Sequence, residues 1–294
     1  MERQLWPLLY HEARAVGERV RQKYVSHPPW AIAVVLLWAA LHDRPVSWAC
    51  HPDHWATTTL RPHRLPSAAT VSRRTRRGGF AVFLNALSER LRGTGLPGLV
   101  LAVDGKPLVV GGCSHDPDAR YGRGAGQFAR GYKLHAVWGR RAMPEAWEVT
   151  ALNEHEVSVG ERLAGQLAGG GYVVADGNYD AGRLFDRLAE RGYQLVAAQR
   201  KDNPGGGHRR LSAARRRGIE LWQSAFGQAV YRCRVGIERA FGNATTFAGG
   251  LGPLPAWVRR LGRVRRWVWA KLVINAARIR SRTAQRQRLT ARLQ

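Results

Sequence analysis

The stretch VVADGNYDAGRLF, residues 173–185, begins with an apolar run that ends at Asp176. Gly177 and Asn178 interrupt the run and a helical pattern follows, which predicts a strand, a turn and a helix. A carboxylate at the end of a buried strand is costly unless a positive group lies against it. One interpretation is that Asp176 caps the next helix, since Asp is a good N-cap residue.

A second aspartate repeats this setting and favours a chemical role for both. The run Leu99–Val103 ends at Asp104, and Gly105 follows it. Around the two aspartates, hydrophobic periodicity predicts five strands with helices between the later ones. The predicted elements are strands Leu99–Asp104, Tyr132–Trp138, Trp147–Leu152, a run ending at Asp176, and Tyr193–Ala198, with helices from Asn153 to Ala168 and Ala181–Arg191.

The order strand, strand, strand, helix, strand, helix, strand is that of a ribonuclease-H-like domain. We therefore predict an α/β fold, a mixed sheet flanked by helices and preceded by a helical N-terminal domain. In such a sheet the ends of the first and fourth strands lie side by side, so Asp104 and Asp176 are expected to face each other. The predicted domains are 1–97 (helical), 98–282 (ribonuclease-H-like) and 283–294 (a basic tail).

Composition points to an anionic partner. The 294 residues carry a net charge of +26, and 45% of them are hydrophobic. A chain this basic favours nucleic acid first and an anionic membrane surface second. Three scattered cysteines give neither a disulfide framework nor a zinc site and fit a reducing compartment. The apolar run Ala31–Leu41 is too short to span a bilayer, so we expect a cytoplasmic protein.

The N-terminal region is predicted to be helical, with helices over residues 1–24 and 30–42. The loop His51–Arg64 contains three histidines, which we interpret as solvated side chains. Ser67 or Ser72 is expected to cap a helix that runs through Arg92 and carries Arg73 and Arg74. This pattern is typical of a helix-turn-helix that reads DNA, or of a basic helical cap on the next domain.

A third acid comes from a helix near residue 231. Tyr231, Arg234 and Glu238 would share one helix face, beside an apolar stripe of Val230, Ile237 and Phe241. Arg234 and Glu238 alternatively form a surface ion pair. Glu238 is, however, the last acid of the chain, and every charged residue after it is Arg or Lys.

Other segments show weaker patterns. Cys113–Arg130 and Gln199–Arg217 are predicted to be loops, and Asn153 with Glu156 resembles a capping box. Trp257–Arg280 is predicted to be an amphipathic helix, and Ser281–Gln294 a loosely ordered basic end.

Three carboxylates without histidine or thiolate suit Mg²⁺ or Mn²⁺. Two such ions about 4 Å apart catalyse in-line displacement at a phosphodiester. Asp104 would bridge the ions, and Asp176 and Glu238 would each complete one shell. Arg234 would bind a phosphate. Glu220 and Asp180 are the rival candidates for the third acid.

These motifs together resemble the DDE transposases of bacterial insertion sequences. The resemblance includes the family's signature of Tyr, Arg and Glu, in which two residues separate Tyr from Arg and three separate Arg from Glu. The matching stretches are Leu65–Arg74, Ala102–Gly105, Asp116–Arg120, Gly131–His135, Ala175–Asp180, Gln199–Arg200 and Tyr231–Glu238. The family has a lysine where this chain has Thr245, and Arg239 is expected to replace it.

The resemblance implies metal-dependent cleavage at transposon ends, followed by transfer of the 3′-hydroxyl into target DNA. It implies double-stranded DNA as partner, both terminal inverted repeats and target, and a homodimer in the DNA complex. Beside Tyr231, Arg234 and Arg239, it suggests phosphate contacts from Arg200, Arg73 and Arg74. No membrane role is implied.

Two other functions fit the same residues. One is a structure-specific nuclease or resolvase on the same fold, which would cleave DNA without joining it. The other is a non-catalytic DNA-binding protein derived from a transposase, because the positive charge alone accounts for binding. The three acids favour an enzyme.

Overall fold

The chain forms two compact units, which we describe from a computed structural model. It describes residues 2–19, 26–124, 126–199 and 211–293. The helical unit comprises Met1–Thr94, Ala244–Val258 and Arg266–Gln294, and the α/β unit comprises Gly95–Asn243 and Arg259–Arg265. The sequence analysis placed domain limits after residues 97 and 282, and these limits remain a prediction.

The helical unit is built around one helix that is apolar on all sides. Its elements are α1 (Glu2–Arg19), α2 (Pro29–Leu41), α3 (Val46–Ala49), a 3₁₀ turn (Pro52–Trp55), α4 (Ala68–Arg74) and α5 (Gly78–Arg92). Almost every residue of α2 is buried, as expected for a helix without a polar face. Trp6 and Trp55 pack against Trp38 of this helix, and each of the three indole N–H groups donates to a backbone carbonyl.

The predicted single helix ending at Arg92 is wrong, because two helices occupy this stretch. Ser67 caps α4 by accepting a hydrogen bond from the Thr70 amide at 3.2 Å. The chain then turns through Thr75–Arg77 before α5 begins at Gly78. The three loop histidines are exposed, as predicted.

The α/β unit contains a six-stranded mixed sheet. Its strands are β1 (Val100–Val109), β2 (Arg120–Gly124), β3 (Gln127–Trp138), β4 (Ala146–Ala151), β5 (Gly171–Ala175) and β6 (Tyr193–Ala197). The order is β2-β3-β1-β5-β6, and β4 also pairs with β3. The pairs of β3 with β1, β2 and β4 are antiparallel, whereas β1, β5 and β6 are parallel.

Strands β4, β3 and β1 form an antiparallel part of the sheet, and β5 and β6 extend it in parallel with β1. This is the predicted ribonuclease-H-like sheet. Helices α6 (Glu156–Ala164) and α7 (Gly182–Ala189) provide the crossovers. Their apolar side chains bury the inner face of β1, β3, β5 and β6. The remaining helices of this unit are α8 (Ala213–Gln223), α9 (Ala225–Tyr231) and α10 (Val235–Thr245).

The predicted loop Cys113–Arg130 is wrong in its second half, which forms β2 and the start of β3. Its first half also has a defined role. Asp116 accepts hydrogen bonds from the Tyr132 hydroxyl at 2.6 Å and from the Arg260 amide at 2.9 Å. Asp118 accepts one from the Leu261 amide at 2.9 Å.

These aspartates hold the start of α11 (Leu261–Leu293), a helix longer than predicted. The prediction ended the helix at Arg280 and left residues 281–294 loosely ordered. That was wrong through Leu293, since the sequence after Ser281 contains neither Gly nor Pro to end a helix. Among the helices described, none combines the length and apolarity that crossing a lipid bilayer requires.

Candidate active site

The parallel pairing of β1 with β5 aligns the two strand-end aspartates. Ala102 lies opposite Val174 in the register. Continuing two residues further places Asp104 level with Asp176, and neighbouring strands lie about 4.8 Å apart. The Asp176 carboxylate contributes to a raised pKa of Asp104, in agreement with this register. We call them the acidic pair.

Asp104 lies in an environment that disfavours its charge. Burial raises its pKa to about 6, and the Asp176 and Glu156 carboxylates act in the same direction. The Gly105 amide, which donates to Asp104 Oδ1 at 2.7 Å, and the Arg234 guanidinium oppose the shift. A carboxylate with so little compensation is suited to binding a cation.

Asp176 has the capping role that was one of its two interpretations. Its Oδ1 accepts a hydrogen bond from the Asn178 amide at 3.0 Å, at the start of a short 3₁₀ turn. Burial nevertheless raises its pKa, and the Glu156 carboxylate adds to the rise, whereas Arg234 and Lys133 oppose it. The capping hydrogen bond engages Asp176 Oδ1, and the carboxylate remains next to Asp104 in the register.

Two residues near the acidic pair were missed as site residues by sequence reasoning. Glu156 had been assigned to a capping box with Asn153, and this was wrong. Helix α6 begins at Glu156 itself, and no side chain caps it. Instead Glu156 Oε1 accepts a hydrogen bond from Lys133 Nζ at 2.8 Å. The position next to Asp104 is a glycine, and a Cβ there would lie 3.3 Å from Glu156 Oε1.

The second is Tyr179, whose side chain is 1% exposed. Its hydroxyl is buried and has no hydrogen-bond partner among the described residues. Burial raises its pKa well above the ordinary value, and the Glu156, Asp104 and Asp176 carboxylates add to this. A buried polar atom without a partner is rare, and here three carboxylates act on it electrostatically. A lone tyrosine after a strand carries no signal that would have revealed this in the sequence.

The Tyr231, Arg234 and Glu238 side chains are brought together as predicted, although not by one continuous α-helix. A 3₁₀ turn, Arg232–Arg234, joins α9 to α10. The Arg234 guanidinium lies 6.0 Å from the Tyr231 ring centre, and its NH2 is 2.7 Å from Glu238 Oε1. Val230, Ile237 and Phe241 are buried, which confirms the apolar stripe.

Arg234 connects this segment to the acidic pair. Its guanidinium influences the carboxylates of both Asp104 and Asp176. Glu238 forms the surface ion pair with Arg234 that was the alternative interpretation of these two residues, and its side chain is 53% exposed. Of the rival acids, Asp180 is buried against Arg215 at 3.2 Å, and Glu220 is exposed.

The remaining predicted contacts are dispersed. Arg239 is exposed on α10, and Arg73 and Arg74 lie in the last turn of α4. Arg200 falls outside the described residues.

The donor chemistry near the acidic pair fits a hard divalent cation. Asp104, Asp176 and Glu156 offer carboxylate oxygens, and they act electrostatically on the Tyr179 hydroxyl, which is buried without a partner in the described chain. Within residues 2–19, 26–124, 126–199 and 211–293, no three His, Cys, Asp or Glu side chains are grouped closely enough to hold a metal ion. The fit therefore concerns the kind of donor atoms and not a formed set of three ligands.

A family model described as "Transposase DDE domain" matches residues 95–251, more than half of the chain. The chain belongs to this transposase family. Its members generally use divalent metal ions, in agreement with the oxygen-rich surroundings of Asp104 and Asp176. No curated protein matches this transposase.

One solved structure that resembles this DDE transposase is the "Cryo-EM structure of piggyBac transposase synaptic complex with hairpin DNA". It shares 12% sequence identity with a TM-score of 0.36. The match covers 69% of the present chain and 52% of that chain, so the present chain spans about half of its length.

Proposed function

We propose that this chain is a DNA transposase that cleaves the ends of a mobile element and joins the freed 3′-hydroxyl to target DNA. The observation that carries the proposal is the acidic pair, in which Asp104 and Asp176 lie next to each other with raised pKa values. Membership of the family supports the same chemistry. The net charge of +26 suits a DNA partner.

The acidic pair would hold Mg²⁺ or Mn²⁺, two ions in the full complex, and Glu238 would supply the third carboxylate. When bound, the metal activates the attacking oxygen and stabilises the leaving oxygen. Glu238 is half exposed and paired with Arg234, so it would have to leave this ion pair to join Asp104 and Asp176.

The protein's own cations would position the DNA. Arg234, near both aspartates, would bind a phosphate next to the scissile bond, and the Tyr231 ring supports its guanidinium. Arg239 would contact the phosphate further along. Arg200 and the exposed end of α4, with Arg73 and Arg74, are proposed to contact the flanking duplex.

The Glu156 carboxylate is proposed to position neighbouring groups. Glu156 accepts a hydrogen bond from Lys133 Nζ and would thereby prevent the Lys133 ammonium group from pairing with Asp176. The charge of Lys133 already acts to lower the pKa of Asp176. The oxygen atoms of the acidic pair then remain available to a cation. We further propose that the protein acts as a homodimer in the cytoplasm, with one element end on each protomer.

The test uses DNA that carries the inverted repeats flanking the coding region, with Mg²⁺ or Mn²⁺. Wild-type protein is expected to nick this DNA and to join a pre-nicked end to a target plasmid. Asp176→Ala should lower both rates by about a hundredfold or more, because metal ligands contribute several kcal/mol to such transition states. Binding of the same DNA should be unchanged.

Two results would contradict the proposal. Cleavage by Asp176→Ala at the wild-type rate would remove Asp176 from the site. Cleavage by wild type without any joining of the pre-nicked end would indicate a nuclease instead. Thermal unfolding of the variant provides the folding control, and Asp186→Ala, an exposed acid on α7, provides the matched substitution.

A further inference from the structure

The β2–β3 hairpin exposes two aromatic rings that the chemistry above does not use. Tyr121 is 55% exposed and Phe128 is 72% exposed. The rings stack on each other with centroids 5.8 Å apart and planes 13° apart. Two large exposed side chains that stack on each other form an apolar patch, which is more informative than a single exposed residue.

Arginines complete the same face of the hairpin. In the register, Tyr121 lies opposite Arg130 and Arg123 lies opposite Phe128. Residues directly opposite share a face, and every second residue of a strand returns to it, so all four side chains project from one side. The Arg130 guanidinium lies 6.0 Å from the Tyr121 ring centre. We call these four residues the hairpin face.

The other side of the hairpin is packed tightly, so the exposure of the rings is not due to a loose loop. A Cβ at Gly122 would lie 2.7 Å from the Leu152 carbonyl oxygen, and one at Gly131 would lie 2.5 Å from that of Leu108. Only glycine allows such close backbone approach. The Arg130 guanidinium also donates to the carbonyls of Asp116 and Ala119. The hairpin face is therefore held in place before any partner binds.

We propose that the hairpin face binds unpaired bases of the DNA substrate, which deepens and rests on the proposed function. Aromatic rings offer a stacking surface to any base, and the arginines attract the adjoining phosphates. Bases within an intact duplex are already stacked, so the rings select DNA that is locally open.

Charge identifies DNA as the occupant of this surface. From Ala119 to Pro144 the sequence contains no Asp or Glu, whereas Arg120, Arg123 and Arg130 lie within the hairpin. A second copy of this chain carries the same net charge of +26 and would be repelled at this basic face unless DNA lay between the two copies. A polyanion with planar rings matches both the charge and the aromatic character of the hairpin face.

The test compares two fluorescently labelled DNA molecules in EDTA, so that no cleavage occurs. One is a duplex of about 30 base pairs, and the other is the same duplex with about three unpaired bases at its centre, enough for both rings to stack. Wild type is expected to bind the open DNA at least about fivefold more tightly than the duplex. The double variant Tyr121→Ala/Phe128→Ala should lose this preference and keep its affinity for the duplex within about twofold.

Three further variants separate stacking from other effects. Tyr121→Leu/Phe128→Leu keeps apolar area without aromatic rings and should also lose the preference. Arg123→Ala should weaken binding of both DNA molecules and lower the salt dependence by about one phosphate contact. Phe226→Ala removes an aromatic side chain that is equally exposed, at 55%, outside the hairpin and should behave as wild type.

Retention of the preference by either double variant would overturn the inference. Equal binding of both DNA molecules by wild type would overturn it too and would leave the proposed transposase activity intact. Absence of all DNA binding by wild type would reject the proposed function as well. Thermal unfolding of each variant confirms that the hairpin substitutions leave the α/β unit folded.

Discussion

Each of the two units buries charged side chains, but the hydrogen bonding of these side chains differs between the units. In the helical unit, Lys271 is fully buried and its ammonium donates to Ala40 O at 2.6 Å, Gly249 O at 3.0 Å and the Asp43 carboxylate. The Trp267 ring centre lies 4.6 Å away. All three N–H donors of the lysine are used, so this charge stabilises the unit and has no capacity for a ligand.

In the α/β unit, the buried groups are left incomplete. Asp104 has a raised pKa, and the described residues provide no partner for the Tyr179 hydroxyl beside it. The comparison teaches that burial alone does not mark a functional site, since the buried lysine is fully bonded whereas Asp104 keeps a raised pKa next to a second carboxylate.

The largest effect expected is from Asp104→Asn, which should lower DNA cleavage by about a thousandfold while stabilising the fold. Asn keeps an oxygen for the Gly105 amide but removes the charge. Rate loss reflects the missing metal ligand. Single-turnover cleavage and urea unfolding of the same preparation measure the two effects. A variant less stable than wild type at pH 7.5 would contradict the contrast between the buried charges of the two units.

The stability gain of Asp104→Asn should depend on pH. Because the folded pKa, about 6, is above the ordinary value of 3.8, the wild-type carboxylate destabilises the fold above pH 6. That cost shrinks as pH falls below about 6 and is nearly gone at about pH 3, where the group is largely protonated in both the folded and the unfolded state. The variant should therefore be about 1–2 kcal/mol more stable at pH 7.5 in EDTA, allowing for partial solvent exposure, and should match wild type at about pH 3.

Lys271→Met should lower the free energy of unfolding by about 2–4 kcal/mol, since the Ala40 and Gly249 carbonyls lose their partner inside the helical unit. Any variant protein that remains folded should cleave DNA at the wild-type rate. Arg282→Met, on the exposed side of α11, serves as the control and should change stability by less than about 0.5 kcal/mol. Loss of cleavage in folded Lys271→Met protein would contradict a purely structural role.

The smallest effect expected is from Glu156→Gln, which should lower cleavage about tenfold and raise the Mg²⁺ concentration needed for half-maximal activity. Without the carboxylate, Lys133 becomes free to pair with Asp176. Glu156→Asp should recover part of the activity. A loss as large as that of Asp104→Asn, without recovery by Asp, would make Glu156 a metal ligand and sharpen the assignment of the third acid.

Five of the six described strands could be predicted from the sequence, because each of them has a local signal. Apolar runs that end in Asp104 and Asp176 mark strand ends, and the order of strands and helices brings these ends together. The role of Glu156 was missed because a glutamate at a helix start has an ordinary explanation as a cap. Only the contact with Lys133, from a different strand, distinguishes the two roles.

The hairpin was mistaken for a loop for a different physical reason. Its glycines signal flexibility in a sequence, yet Gly122 and Gly131 are there because neighbouring backbone comes within contact distance. Such close packing between distant segments has no local pattern. The 3₁₀ turn that divides Tyr231 from Glu238 is likewise invisible to helical periodicity, since its residues keep nearly helical spacing.

The hydrogen bonds from Asp116 and Asp118 to the amides of Arg260 and Leu261 have a consequence for synthesis. The α/β unit includes Arg259–Arg265, so its bonding is incomplete in a nascent chain that ends before these residues. Ribosomes add about 5–20 residues per second, and domains usually fold in order as they emerge. Here the unit that carries the acidic pair cannot complete its hydrogen bonds until Arg260, 144 positions after Asp116, has been synthesised. The α/β unit therefore gains its complete fold only after Arg265 has left the ribosome.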